Sequence, residues 1–126
     1  MRAIDTSVLV RVIARDDAEQ VAIADRYLEG GVWVSTIVLT EAVWVLSSRY
    51  KRSAADLIRI ISVLLTHKEI VLEHSDFVAA ALDLFRSRPA LGFSDCLILQ
   101  MSRKSGYLPL GTFDQDLGKC EGVQQL

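Results

Sequence analysis

The sequence predicts an α/β fold: a three-layer α/β/α domain over residues 1–126, with a central, mostly parallel sheet of four to five strands between layers of helices. Three observations carry this. Short apolar runs of strand length alternate with stretches whose apolar residues recur at helical spacing. The junctions after the first strands carry Asp5-Thr6-Ser7, Ser35-Thr36 and Ser75, residue types that start helices. The length, 126 residues with 51% hydrophobic composition, suits one domain with a well-filled core.

Taken in order, Arg2 to Ile4 reads as a brief strand, and Ser7, Val8, Leu9, Val12 and Ile13 begin a helix with one apolar face. Arg15-Asp16-Asp17 is a polar break. Val21, Ala24, Tyr27 and Leu28 then recur at helical spacing until Gly30-Gly31 stops the run. Val32-Trp33-Val34 is a second strand, and Ser35-Thr36 opens a helix in which Ile37, Val38, Ala42, Val45 and Leu46 repeat. Glu41 shares a face with Ile37, Val38, Trp44 and Val45, so an acid is expected inside an apolar stripe. Burying a lone carboxylate is costly unless it is paired, protonated or bound to a metal.

Arg49 to Arg52 is a basic link, and Ser53 to Asp56 has capping-box spacing ahead of an apolar helix, Leu57 to Leu65. Ile70-Val71-Leu72 reads as a third strand, with Ser75 capping a helix over Phe77 to Phe85. After an apolar loop, Ser94-Asp95-Cys96 opens a helix stopped by Gly106. Asp95 is expected to face inward with Ile98 and Leu99, in a first turn whose dipole would lower its pKa. Leu108-Pro109-Leu110 is the fourth strand, running into Gly111-Thr112-Phe113-Asp114-Gln115-Asp116; a helical turn at Leu117 to Cys120 and a last small strand at Val123 close the chain.

Composition excludes several classes. The longest uncharged run, Gly30 to Thr40, is too short to span a bilayer, and Arg59 interrupts Leu57 to Leu65, so no membrane association is expected. Asp5 falls where a secretory leader would be apolar, which makes the cytoplasm the expected location. Cys96 and Cys120 have no metal or redox spacing and read as reduced thiols, and His67 and His74 form no ligand pattern. The formal charge of −2 argues against a broadly basic nucleic-acid binder, but setting four acids aside as metal ligands leaves +2 for the remainder.

Four acids draw attention. Asp5 follows strand one, Glu41 lies in the helix after strand two, Asp95 opens the helix before strand four and Asp114 follows strand four. With strand four beside strand one, their carboxylates would converge at the strand exits, where open α/β sheets bind ligands. Each also has a plain structural role available: a helix cap for Asp5, Asp95 and Asp114, an ion pair for Glu41. Like charges that close stay ionised only around a cation, and oxygen-only ligands select Mg²⁺ or Mn²⁺. Such an ion orients a phosphodiester and activates a water, so the expected reaction is hydrolysis. Thr6, Ser7 and Thr112 are placed to hold the carboxylates through hydrogen bonds.

Ile4 to Val10, Thr40-Glu41-Ala42-Val43-Trp44, Gly92-Phe93-Ser94-Asp95-Cys96 and Thr112-Phe113-Asp114-Gln115-Asp116 together resemble the four acidic motifs of PIN-domain ribonucleases, in particular VapC-like toxins of toxin–antitoxin modules. The resemblance runs the length of the chain. It implies that Asp5, Glu41, Asp95 and Asp114 form a metal-binding acidic quartet, with Asp116 as a further acid, and that Ser7 stands where Asn is common. It also implies an endoribonuclease requiring Mg²⁺ or Mn²⁺, a homodimer, and inhibition by a cognate VapB-like antitoxin. Two other functions compete. A catalytically silent PIN-like scaffold would bind RNA or protein without cutting, but the intact quartet argues against it. A receiver-like module would want adjacent acids after the first strand and a late lysine at a strand end, where Lys119 is poorly placed.

Overall fold

The computed structural model describes every residue from Met1 to Leu126. The chain packs as two compact units, Met1–Ser75 and Asp76–Leu126. In the first, the order is β1 (Arg2–Ala3), α1 (Thr6–Ala14), α2 (Ala18–Leu28), β2 (Val32–Val34), α3 (Thr36–Ser48), α4 (Ala54–Thr66) and β3 (Ile70–Leu72). The strands form a parallel sheet in the order β1-β2-β3, with Ala3 opposite Trp33 and Trp33 opposite Val71. Parallel neighbours need long crossovers, which each helix pair supplies. Strand residues alternate: Val32, Val34, Ile70 and Leu72 are buried, whereas Trp33 and Val71 keep 38% and 46% of their surface.

The helices start where local chemistry starts them. Asp5, Asp17, Ser35 and Ser53 each accept a hydrogen bond from the backbone N–H three residues on, satisfying donors that the first helical turn leaves unpaired. Below α1 and α3, which pack on each other, Leu9, Leu39 and Leu46 are fully buried. The buried stripe of α3 is Leu39, Ala42, Val43 and Leu46. The face carrying Glu41 is therefore the opposite one: Glu41 is exposed, with Ile37 at 78% and Trp44 at 61% exposure beside it. The sequence pattern identified an apolar face correctly but not which of two apolar faces meets the core, because α3 is hydrophobic nearly all round.

The second unit contains α5 (Ser75–Ser87, beginning at the junction), a 3₁₀ turn at Pro89–Leu91, α6 (Phe93–Ser105), β4 (Leu110–Thr112), a 3₁₀ turn at Leu117–Lys119 and β5 (Val123–Gln125). Its core is built on Val78, Ala81, Leu82, Phe85, Phe93, Cys96, Leu97 and Leu99, with the Phe85 and Phe93 rings tilted at 55° and 6.1 Å apart. Gly106 ends α6 in the left-handed conformation (φ 84°), a geometry that a side chain would strain.

Five strands fit the expected number, but they do not form the single expected ladder. β4 pairs in parallel with β5, so the hydrogen-bonded sheets hold three and two strands, not one central sheet of four to five with strand four on strand one. Leu110 donates to Gly122 and Leu126 to Thr112, so the short β4 finds its partner in the chain's last residues, while Pro109 ahead of it has no N–H to give.

Candidate active site

Asp5 sits at the exit of β1 and does two things at once. Its Oδ1 accepts from the Val8 N–H at 3.1 Å, which caps α1, and from the Ser7 hydroxyl at 2.6 Å. Those bonds, the Ser7 hydroxyl first and the Val8 N–H next, hold the Asp5 carboxyl below its ordinary value and keep it ionised. The side chain remains exposed, so cap and ligand are not alternatives here: one oxygen is engaged by the protein and the carboxylate still faces solvent. Thr6, adjacent on α1, is half-buried.

Glu41 projects from the exposed face of α3 and makes no hydrogen bond or ion pair. The ion pair considered for it from sequence is absent.

Asp95 and Asp114 belong to the second unit. Asp95 lies in the first turn of α6, just after Gly92, whose φ of 81° sets the chain's entry into that helix. Its carboxyl is half-buried, takes no hydrogen bond, and is pushed above its ordinary value by burial first and by the neighbouring Asp114 charge second. The direction is opposite to the lowering expected from the helix dipole. At this site desolvation and a like charge outweigh the helix N-terminus. Leu99 is indeed fully buried, but Ile98 is 49% exposed, so Asp95 stands at the edge of the core instead of within it.

Asp114 follows β4 in a tight turn. The Thr112 hydroxyl accepts from the Asp114 N–H at 3.0 Å, and Asp114 Oδ1 accepts from the Leu117 N–H at 2.8 Å. Thr112 thus orients the backbone beneath the acid, not the carboxylate itself. Asp116, two residues on, is exposed and precedes the 3₁₀ turn with no side-chain bond to it.

Of the four acids, Asp95 and Asp114 are the pair the structure links: the Asp114 charge adds to burial in raising the Asp95 carboxyl. Within neither unit are three or more His, Cys, Asp or Glu side chains gathered tightly enough to hold a metal ion. The donors nevertheless suit a hard cation in kind: oxygen only, with Asp5 ionised and Asp95 a half-buried carboxyl lacking any donor or counter-charge, a combination a divalent ion would relieve.

Two features escaped the sequence. Glu73, directly after β3, is a further acid at a strand exit; its Oε1 accepts from the Thr36 N–H at 2.8 Å, so it serves the first turn of α3. A second network links Tyr50, Asp16, Arg11 and Gln20 across α1, α2 and the end of α3. No motif signals it, because Tyr50 and Asp16 lie 34 residues apart.

Short parallel strands joined by paired helices, with acids at the exits of β1 and β4, define an α/β domain of the kind that binds ligands beyond its strand ends. A protein-family model narrows the class: the PIN domain matches residues 3–122, and the chain belongs to that family, generally a nuclease fold. The match spans both compact units. Among curated proteins no sequence matches. No helix is long and apolar enough to cross a membrane.

Proposed function

We propose that this chain is a metal-dependent endoribonuclease, the toxin of a toxin–antitoxin module, with Asp5, Glu41, Asp95 and Asp114 as the ligands of Mg²⁺ or Mn²⁺ and Asp116 as an accessory acid. The observation that carries it is the Asp95–Asp114 pair: two acids from separate motifs, one of them half-buried with no donor and repelled by the other, in a chain of the PIN family. A bound cation would supply Lewis-acid stabilisation of the phosphodiester and a more acidic water. The chain's own residues do the rest. Ser7 and the Val8 N–H keep Asp5 charged and oriented; Thr112 and the Leu117 N–H hold the Asp114 turn; Gly92 sets the entry of the helix that carries Asp95.

The proposed partners are an RNA substrate, a VapB-like antitoxin, and a second copy of the chain in a homodimer. The exposed apolar residues Ile37 and Trp44 on α3 are compatible with a protein covering that face. Cleavage of total cellular RNA by the purified chain tests the activity. Discrete fragments that require Mg²⁺ or Mn²⁺, vanish with EDTA and vanish in Asp95→Asn support it. Equal cleavage by Asp95→Asn rejects the site, and no cleavage by folded, metal-supplied protein favours the silent scaffold. Growth arrest on induction, lost in the same variant, tests the toxin role.

A further inference from the structure

Asp5 lines a groove that contains residues from none of the other acidic motifs. It runs between α1 and α2, encloses about 590 Å³, and is lined by Asp5, Ser7, Arg11, Gln20, Ile23 and Tyr27 among others. That volume is in the range of small-ligand sites, roughly 300 to 1,000 Å³.

The polar wall is pre-organised. The Tyr50 hydroxyl donates to Asp16 Oδ2 at 2.8 Å, Asp16 Oδ1 accepts from Arg11, and Arg11 Nε donates to Gln20 Oε1 at 2.7 Å. The Gln20 backbone N–H is held by Asp17 Oδ1 at 3.0 Å. With its oxygen accepting from Arg11, the Gln20 amide keeps both Nε2 hydrogens free as donors. The other wall is apolar and open to solvent, with Ile23 at 53% and Tyr27 at 38% exposure. Over the Tyr27 ring lies the Arg2 guanidinium, 4.1 Å from the ring centroid; it donates to the Tyr27 carbonyl oxygen at 2.9 Å and has no carboxylate partner.

An amide donor and an apolar wall that includes one aromatic ring, in a groove that also holds an acid at a strand exit, match one unpaired nucleotide with a planar base and hydrogen-bond acceptors on its edge. We propose that the α1–α2 groove seats the nucleotide that flanks the scissile phosphodiester, with its base against Ile23 and Tyr27 and an acceptor on the base edge receiving the Gln20 amide. The assignment builds on the metal-binding role proposed for Asp5, yet base binding itself needs no cleavage. A paired base has its Watson–Crick edge occupied and its faces stacked, so the seat selects single-stranded RNA.

The test uses the full chain without metal, titrated with each of the four nucleoside 5′-monophosphates and with ribose 5-phosphate, and followed by backbone amide NMR. Two variants accompany it: Gln20→Glu, which keeps the acceptor for Arg11 but removes the donor, and Gln20→Met, which removes both without adding charge. Gln20 is exposed, and retained amide dispersion verifies folding. Saturable shifts of groove amides with nucleotides and not with ribose 5-phosphate, weakened about fivefold or more in both variants, are expected for a lost neutral hydrogen bond. Unmoved groove amides, equal shifts with ribose 5-phosphate, or unaltered binding by the variants would overturn the seat. Groove shifts that follow protein concentration alone would assign the groove to a second copy and overturn it too. RNA cleavage with Mg²⁺ in the same preparation separates the two claims: cleavage beside a silent groove removes only the seat, whereas nucleotide binding without cleavage removes only the nuclease.

Discussion

Asp5 combines a helix cap with a proposed metal ligand, and two substitutions separate those roles. Asp5→Ala removes the acceptor of the Val8 N–H, bonded at 3.1 Å, together with that of the Ser7 hydroxyl. Loss of an N-cap costs about 1 kcal/mol, and the exposed Ser7 hydroxyl regains water. An unfolding entropy of about 2.1 cal/mol/K per residue amounts to about 0.26 kcal/mol/K over this chain, so 1 kcal/mol lowers Tm by about 4 °C. Asp5→Asn retains an acceptor oxygen and loses only the charge at the helix N-terminus, about 0.3 kcal/mol at an exposed end, or about 1 °C. Thermal unfolding followed by circular dichroism, with RNA cleavage measured on the same samples, reads both effects. Both variants should lose cleavage, with Asp5→Ala about 4 °C and Asp5→Asn about 1 °C less stable than the parent. An Asp5→Asn protein that cleaves as the parent does would refute the catalytic role, and an Asp5→Ala protein with unchanged Tm would refute the cap.

Phe85→Ala should cost about 3–5 kcal/mol in urea unfolding, because a fully buried ring is removed and a cavity left beside Phe93; a loss below about 1 kcal/mol would mean that the core collapses around the gap. The Arg11 guanidinium, and after it the Tyr50 hydroxyl, hold Asp16 below its ordinary 3.8, so the interaction stabilises the folded chain above that pH and is lost as pH falls through the lower folded value. Asp16→Asn should therefore lower Tm at neutral pH, with a gap that narrows as pH drops below 3.8; a gap independent of pH would contradict the assignment.

Much of the fold was legible because its cues are local. β2 and β3 occupy the residues read as strands, and the caps at Asp5, Ser35 and Ser53 mark helix starts as their residue types suggested. What was not legible depends on partners and surroundings that caps and periodicity do not report. Pairing of β4 with β5 depends on the last residues closing back on Leu110 to Thr112, and periodicity cannot report which strand a short segment selects. Glu41 was placed on an apolar stripe that proved to be the solvent face of a helix apolar on both sides. For Asp95 the sequence showed an acid in the first turn of a helix, but not the burial and the Asp114 charge that raise its carboxyl. The Arg11–Gln20 wall was invisible for the same reason: nothing in Gln20 itself announces a partner nine residues back.

The claim on which the proposed function turns is that Asp5, Glu41, Asp95 and Asp114 serve one cation. Isothermal titration of Mn²⁺ into the parent and into Asp5→Asn, Glu41→Gln, Asp95→Asn and Asp114→Asn tests it directly, since each substitution keeps size and removes one charge. A shared centre requires every one of the four to weaken binding, by about tenfold or more for a lost charged ligand. Parental Mn²⁺ affinity in Asp5→Asn and Glu41→Gln, with loss confined to Asp95→Asn and Asp114→Asn, would contradict a common site.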